Sequence, residues 1–210
     1  MKYFSALPSI SQSDFNGKYL TATNLISRAY LLTQLKDNLN IYYEYDLKEY
    51  DSAESIAYKF YNDSYRYWII FYANGIFNPL TDWPLTERNF YLYINDKYAS
   101  EANTSNLDPI SYARDTTHHY EKSITTYNSV DMVKTTTTFT IDEETYNNTS
   151  ELTTSNAFSN GTIVVQEVTK RNISIYDYEM SQNEKKRKIK LIKNNYAYSM
   201  ENQLTSLMSK

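Results

Sequence analysis

Residues 51–85, DSAESIAYKFYNDSYRYWIIFYANGIFNPLTDWPL, hold the densest local signals in the chain. Asp51 followed by Glu54 makes a capping-box-like helix start, although the box is usually written with Ser or Thr. Behind it Ala53, Ile56, Ala57, Phe60 and Tyr61 recur at i, i+3, i+4, i+7 and i+8, a single helical stripe. Asn62-Asp63-Ser64 breaks that helix. The run Tyr65–Ala73 (YRYWIIFYA) is apolar nearly all round, which predicts a second, short and deeply buried helix stopped at Asn74-Gly75. A strand is the rival reading of so aromatic a run, but Asn-Gly followed by Pro79 favours helix. Asn78-Pro79 and Trp83-Pro84 then enforce a turn-rich connection, because a residue before proline is pushed out of the helical region.

Outward from this segment the pattern weakens. Ile41–Leu47 (IYYEYDL) alternates as an aromatic strand. Residues 1–23 read as an irregular arm punctuated by Pro8 and Gly17, followed by a helix from Asn24 to about Asn38. Thr86 and Glu87 open a helix carrying Phe90, Tyr93, Ile94 and Lys97 towards Ala102. From Asn103 to Tyr176, Thr/Ser/Asn-rich tracts alternate with short β-like runs, notably Ile163–Val168 and Ile173–Tyr176, a composition that gains order from a partner. Ser181 and Glu184 form a second capping box. From there Ile189, Ile192, Tyr196, Met200, Leu204 and Leu207 trace the stripe of a helix of about 28 residues, about 42 Å long. A helix of that length is expected to pack partly on another chain.

Composition narrows the function. The 210 residues include 23 Tyr against 3 Gly, and tyrosine supplies rigid contact area with a polar tip. An AT-rich coding sequence accounts for the same excess equally well. A net charge of −4 does not suggest a nucleic-acid binder, and no Cys is present for a disulfide, thiolate or nucleophile. The N-terminus lacks the apolar run of a signal peptide, and no stretch approaches the ~18 apolar residues of a membrane span. The three glycines lie too far apart for a phosphate loop. His118 and His119 are adjacent, so on a regular strand they point to opposite faces and do not converge on a ligand. The basic run Glu184–Lys193 reads as the solvated or partner-facing side of an amphipathic helix rather than a nucleic-acid or lipid patch. No catalytic, cofactor or metal-ligating set emerges, so no enzyme activity and no cofactor are expected.

The central segment resembles the gene-product-53 family of baseplate wedge proteins from T-even-type contractile-tailed phages. That family's pattern is a strand, a "DxxxxIAxKxYGDxxYxWII" helix pair and an "N-x-I-x-DP…WPL" turn. Ile56-Ala57, Lys59, Tyr61, Asp63, Tyr67-Trp68-Ile69, Asn74, Ile76, Pro79 and Trp83-Pro84-Leu85 stand at the matching places. Asn62 replaces the Gly of the inter-helix turn and Asn78 the Asp before proline; Asn tolerates the left-handed conformation that the turn needs. The opening YFSALPSI…FNGK, the ATNLISRAYLL segment, His118–Glu121 and the terminal YEMSQNEKKRKIKLIK extend the likeness over nearly the whole chain, most weakly around 129–162. The same centre is similar to a LysM module, a βααβ fold of two helices on two strands. Its first strand is Ile41–Leu47; its second lies near Leu80–Leu85 or is absent.

The expected fold class is therefore α+β: a small LysM-like βααβ core with an extended N-terminal arm, a β/loop insertion and a long C-terminal helix. Residues 1–40 form the arm and first helix, 41–102 the core with its following helix, 103–180 the strand-and-loop region and 181–210 the amphipathic helix. Ile56, Ala57, Phe60, Trp68, Ile69 and Ile70 are the expected core. Trp83, Pro84, Tyr196, Met200, Leu204 and Leu207 are the expected partner contacts. The resemblance implies a structural subunit of the virion tail, assembled in the host cytoplasm. It would lock neighbouring wedges into a six-fold ring, beside a lysozyme-like sheath-initiating subunit and larger scaffold-like wedge subunits, with no nucleic acid or membrane as partner. The alternative that the LysM likeness implies is binding to cell-wall glycan, peptidoglycan or chitin.

Overall fold

The computed structural model describes residues 3–13, 15–24, 39–158 and 162–208. In chain order it holds strands β1 (Ser9–Ser13), β2 (Tyr19–Thr23) and β3 (Tyr42–Asp46), then helices α1 (Ala53–Tyr61), α2 (Tyr67–Asn74) and α3 (Pro79–Asp82). Helices α4 (Glu87–Lys97), α5 (Ala99–Thr104) and α6 (Pro109–Asp115) follow, and lead into strands β4 (Thr117–Asn128) and β5 (Val133–Ile141). After them come α7 (Glu143–Asn148), β6 (Leu152–Ala157), β7 (Ile163–Ser174), α8 (Ile175–Lys185), β8 (Lys188–Ile192) and α9 (Asn194–Met208). The chain is mixed α+β and divides into two units, Met1–Thr86 with Asn183–Lys210, and Glu87–Gln182. The boundaries that composition places at 40/41, 102/103 and 180/181 do not coincide with these divisions.

In the first unit, β3 lies between Ile41 and Leu47, both buried, and leads into α1. The N-cap of α1 is Ser52, whose side chain accepts from the Ser55 N–H while the Ser55 hydroxyl accepts from the Ser52 N–H. The capping box is thus Ser52/Ser55, not Asp51/Glu54. Asp51 instead accepts from the Tyr45 hydroxyl and the Lys48 N–H. Ala53, Ile56, Ala57 and Tyr61 are buried, whereas Phe60 lies at the core margin with its ring edge-on to Tyr45. Asn62 adopts φ 55° and ψ 25°, so it fills the left-handed turn between the helices. In α2, Trp68, Ile69 and Ile70 are buried, and Gly75 closes the helix at φ 65°, which glycine adopts without a Cβ clash.

The strand that pairs with β3 is β8. They run antiparallel, from Tyr42 opposite Ile192 to Asp46 opposite Lys188. The second strand expected near Leu80–Leu85 is therefore elsewhere; Leu80 sits in α3. This also corrects the long C-terminal helix. Ile189 and Ile192 match a helical i, i+3 spacing, but Leu191 falls off that stripe and is completely buried, as the period-2 strand KIKLI requires. Ser181 and Glu184 lie inside α8, not at a helix start. What remains of the helix is α9, whose Ala197, Met200, Leu204 and Met208 join the same core as Ile56, Ile69 and Leu191.

Side chains fasten β8 on its other edge. Asn74 Oδ1 accepts the Lys190 N–H at 2.7 Å, and Asn74 Nδ2 donates to the Lys190 carbonyl at 2.8 Å, so one amide imitates a paired strand. The Tyr61 hydroxyl donates to the Ile192 carbonyl at 2.9 Å, and burial pushes its phenol pKa up. Arg66 grips Glu201 of α9 through Nε and Nη2 at 2.9 and 2.8 Å, with Glu201 only 6% exposed. Near the N-terminus the expected irregular arm contains an antiparallel hairpin, β1 with β2, turned by Gly17 at φ 74°. The helix expected from Asn24 to Asn38 lies outside the described residues.

The second unit buries Phe90 and Ile94 of α4 with Ala102, Ile110 and Ala113. The helix expected to run to Ala102 is two helices, α4 and α5. Glu179 of α8 accepts from Tyr93, Lys97 and Tyr98 at 3.1, 2.6 and 2.8 Å. Partial burial works against ionisation, yet the Lys97 and Tyr98 hydrogen bonds hold its carboxyl below the usual range. The Thr-rich tract is ordered as a four-stranded sheet, β5-β4-β7-β6, all antiparallel. The two short runs expected at Ile163–Val168 and Ile173–Tyr176 are one strand, β7, which passes into α8 at Ile175. Asp108 and Asp142 cap α6 and α7, Asp108 accepting the Ile110 and Ser111 N–H groups and Asp142 that of Thr145.

Trp68→Ala should destabilise the first unit by about 3–5 kcal/mol, measured by chemical denaturation. Deleting residues 195–210 removes Ala197, Met200, Leu204 and Met208 from that core, and should leave the unit without a cooperative unfolding transition. Asn74→Ala leaves the Lys190 N–H and carbonyl without this partner, and should cost about 1–3 kcal/mol in the same assay.

Candidate functional site

The connection behind α2 is a small rigid platform. Asn78 is the N-cap of α3, its Oδ1 accepting the Leu80 N–H at 3.2 Å, and Pro79 fills the first helical position. Asp82 Oδ2 reaches back to accept the Phe77 and Asn78 N–H groups at 3.1 and 2.9 Å. The Asn78 N–H bond, then that of Phe77, holds the Asp82 carboxyl below its usual pKa. The Lys186 ammonium donates to the Thr81 carbonyl at 2.6 Å. Past the helix, Trp83 Nε1 donates to the Asp51 carbonyl at 3.2 Å and its ring packs edge-on against Phe71. Buried Asn183 then clamps Leu85, accepting its N–H at 2.7 Å and donating to its carbonyl at 3.0 Å.

This platform displays Phe77 and Leu80, 94% and 84% exposed. A large apolar side chain on a loop already fixed by hydrogen bonds loses little entropy on binding, which is the character of a contact hot spot. Neither residue was among the expected contacts. The signal was present in Asn78-Pro79, a helix start that leaves the residue before the cap and the second helical residue free to face outward.

The expected contacts separate into two groups. Pro84 is buried and Trp83 half-buried, so this pair anchors the platform and does not form its tip. Met200 and Leu204, at 1% and 0% exposure, belong to the chain's own core; the stripe placed them on a helix that here folds back onto α1 and α2's core. Tyr196 and Leu207 of α9 are exposed, as are Tyr58 and Tyr65. Of the expected core, Ile56, Ala57, Trp68, Ile69 and Ile70 are buried together, with Phe60 at the edge.

The basic run does not form a free cationic surface. Arg187 meets Glu184 and Glu49 at 2.8 Å each, and Lys188 and Lys190 stand opposite Asp46 and Glu44 in the ladder. Lys193 donates to the Asn40 carbonyl with its ammonium over the Tyr43 ring. In the second unit, the ladder shifts register between Thr117 and His119, and this bulge turns the two histidines towards each other instead of to opposite faces. Their Nδ1 atoms lie 2.8 Å apart, so one ring donates and the other accepts. His118 stacks on Tyr178 at 3.8 Å, and His119 Nε2 is 3.3 Å from Glu121, which also meets Arg171. Among the described residues no group of three or more His, Asp or Glu is placed to hold a metal ion, and no helix is long and apolar enough to cross a membrane.

Asp82→Ala should speed hydrogen exchange at the Phe77 and Asn78 amides while leaving the melting temperature nearly unchanged, since the bonds it makes are local to this turn. Because Asp82 is held below its usual pKa, its bonds contribute above the ordinary carboxylate range and are lost as pH falls through the lowered value. The same two amides should therefore lose protection as the pH is taken from neutral to well below the ordinary carboxylate range, followed by hydrogen exchange. No protein-family model matches this chain and no curated protein matches it, so the platform is defined by its residues alone.

Proposed function

We propose that this chain is a structural subunit of a contractile phage tail baseplate wedge, acting through protein–protein contacts and not as an enzyme. The observation that carries the reading is the pre-organised platform that presents Phe77 and Leu80 from a closed core. Its setting supports it: the strand–helix–helix arrangement of β3, α1 and α2 with β8 as returning strand has the order of a LysM-like core, here with residues 87–182 inserted before that strand. The residues that carry the resemblance to the wedge family support the reading by what they do in this fold. Trp68 and Ile69 are inside it, Asn74 bridges to the returning strand, and Trp83 braces the platform. In this reading the partners are other wedge proteins, including the lysozyme-like sheath-initiating subunit and the scaffold-like subunits, in a six-fold hetero-oligomeric ring within the virion. Exposed tyrosines of the same unit, Tyr50, Tyr58 and Tyr65 among them, supply further contact area.

The β–α–α–β order supports a second reading, a cell-wall glycan binder that uses exposed aromatics such as Phe77 to stack on sugars. Co-expression with wedge proteins separates the two. The full chain should co-purify with them, and Phe77→Ser with Leu80→Ser should reduce recovery at least about tenfold, the effect of losing two buried apolar contacts of roughly 1.5–3 kcal/mol each, with an unchanged melting temperature. Retention on peptidoglycan that free chito-oligomers compete away, without wedge co-purification, would replace the wedge reading by the glycan one.

A further inference from the structure

The second unit leaves the long edge of its sheet unpaired. Strand β5 runs nine residues, Val133–Ile141, in unbroken register with β4, and among the described residues no strand pairs with its other edge. Every residue but Ile141 is exposed. Natural edge strands are blunted by proline, bulges, brevity or several charges. Here the central stretch Thr135–Thr140 contains none of these, and Lys134 is the one charge in the strand. The outward N–H and C=O groups of such a strand are a template for another.

We propose that β5 pairs antiparallel with β5 of a second copy of this chain, about a two-fold axis at Thr137, joining the two four-stranded sheets into one. The strand is self-complementary in this register. Val133 meets Ile141 of the second copy, and Thr135 meets Phe139. Both pairs lie on the face that β4 lines with Tyr120 and Ile124. On the opposite face Thr136 meets Thr138 and Lys134 meets Thr140. Such β-branched and aromatic cross-strand pairs stabilise a ladder, and diagonal neighbours remain within reach of long side chains. The diagonal neighbour of Lys134 is Asp142 of the second copy, the residue directly after β5. Asp142 is ionised at neutral pH, since its bonds to Thr145 hold its carboxyl low. The symmetry makes this ion pair twice, once at each end, and sets no like charges opposite one another. A foreign strand has no such match built into it, which favours a second copy as the occupant. The edge belongs to the second unit, so the pairing is independent of what the platform of the first unit binds.

The chain has no cysteine, so a single introduced one reports the register. At the axis, opposite residues lie about 4.5–5.5 Å apart between Cα atoms, within disulfide range. Thr137→Cys should therefore give a covalent dimer in a glutathione redox buffer. Thr135→Cys and Phe139→Cys place their sulfurs four residues out of register, roughly 13 Å apart along the strand, and should not. In analytical ultracentrifugation the unmodified full chain should dimerise with rising concentration. Thr137→Lys, which sets two ammonium groups at the axis on an exposed position, should weaken dimerisation several-fold with an unchanged melting temperature. A chain that stays monomeric to the highest soluble concentration, or that cross-links equally at 135, 137 and 139, overturns the proposal. So does protection of the β5 amides from exchange only after a wedge protein is added, which would assign the edge to a foreign strand.

Discussion

The pairing of β3 with β8 is the constraint on which the first unit rests. The two-helix segment behind β3 has an apolar face too wide for one strand to cover, and the rest of the cover comes from Ile189, Leu191 and Ile192. Their strand is held on one edge by β3 and on the other by the Asn74 amide, which takes both the N–H and the carbonyl of Lys190. Once β8 is seated, α9 is close enough for Met200 and Leu204 to fill the remaining volume and for Glu201 to reach Arg66. Removal of one charge from that pair would leave the other buried, which is why the geometry there is bidentate rather than loose.

Local chemistry was the legible part of the sequence. The stripe of α1, the buried run of α2, the left-handed Asn62 and the Gly75 stop each depend on neighbours within a few residues, and each has the conformation its chemistry requires. The failures share a different cause. The segment KIKLI satisfies a helical and a strand period at once, and only its partner, far away in sequence, decides between them. The histidine pair was misread because a bulge, invisible in composition, changes which way consecutive residues point. Trp83 has the character of a hot-spot residue, yet its indole N–H is taken by a carbonyl inside the chain and its ring is half-buried, a local fold that its neighbours in sequence do not announce.

The tyrosines show how composition and structure divide the same residue between two duties. Tyr45, Tyr61 and Tyr98 pack their rings or bodies inward and direct their hydroxyls to an acceptor, Asp51, the Ile192 carbonyl or Glu179. With only three glycines and no disulfide, such paired phenols knit elements that a small core would hold loosely. Others, such as Tyr50, Tyr58 and Tyr198, remain exposed. A surplus of tyrosine is thus explained partly by internal hydrogen bonding, without appeal to partners for every ring.

Placing the second unit between α2 and β8 also governs the order of events on the ribosome. The first 86 residues emerge with their apolar helix face uncovered, and remain so until β8 and α9 leave the exit tunnel. At a synthesis rate of about 5–20 residues per second, that delay spans several seconds or more, ample for the inserted unit to collapse first. Nascent chains that stall or terminate early would thus display a greasy, unfinished core and be open to chaperone or protease capture. Only a polypeptide translated through β8 and α9 can bury that face, so the order of the strands itself makes closure of this core wait on the elements that follow the inserted unit.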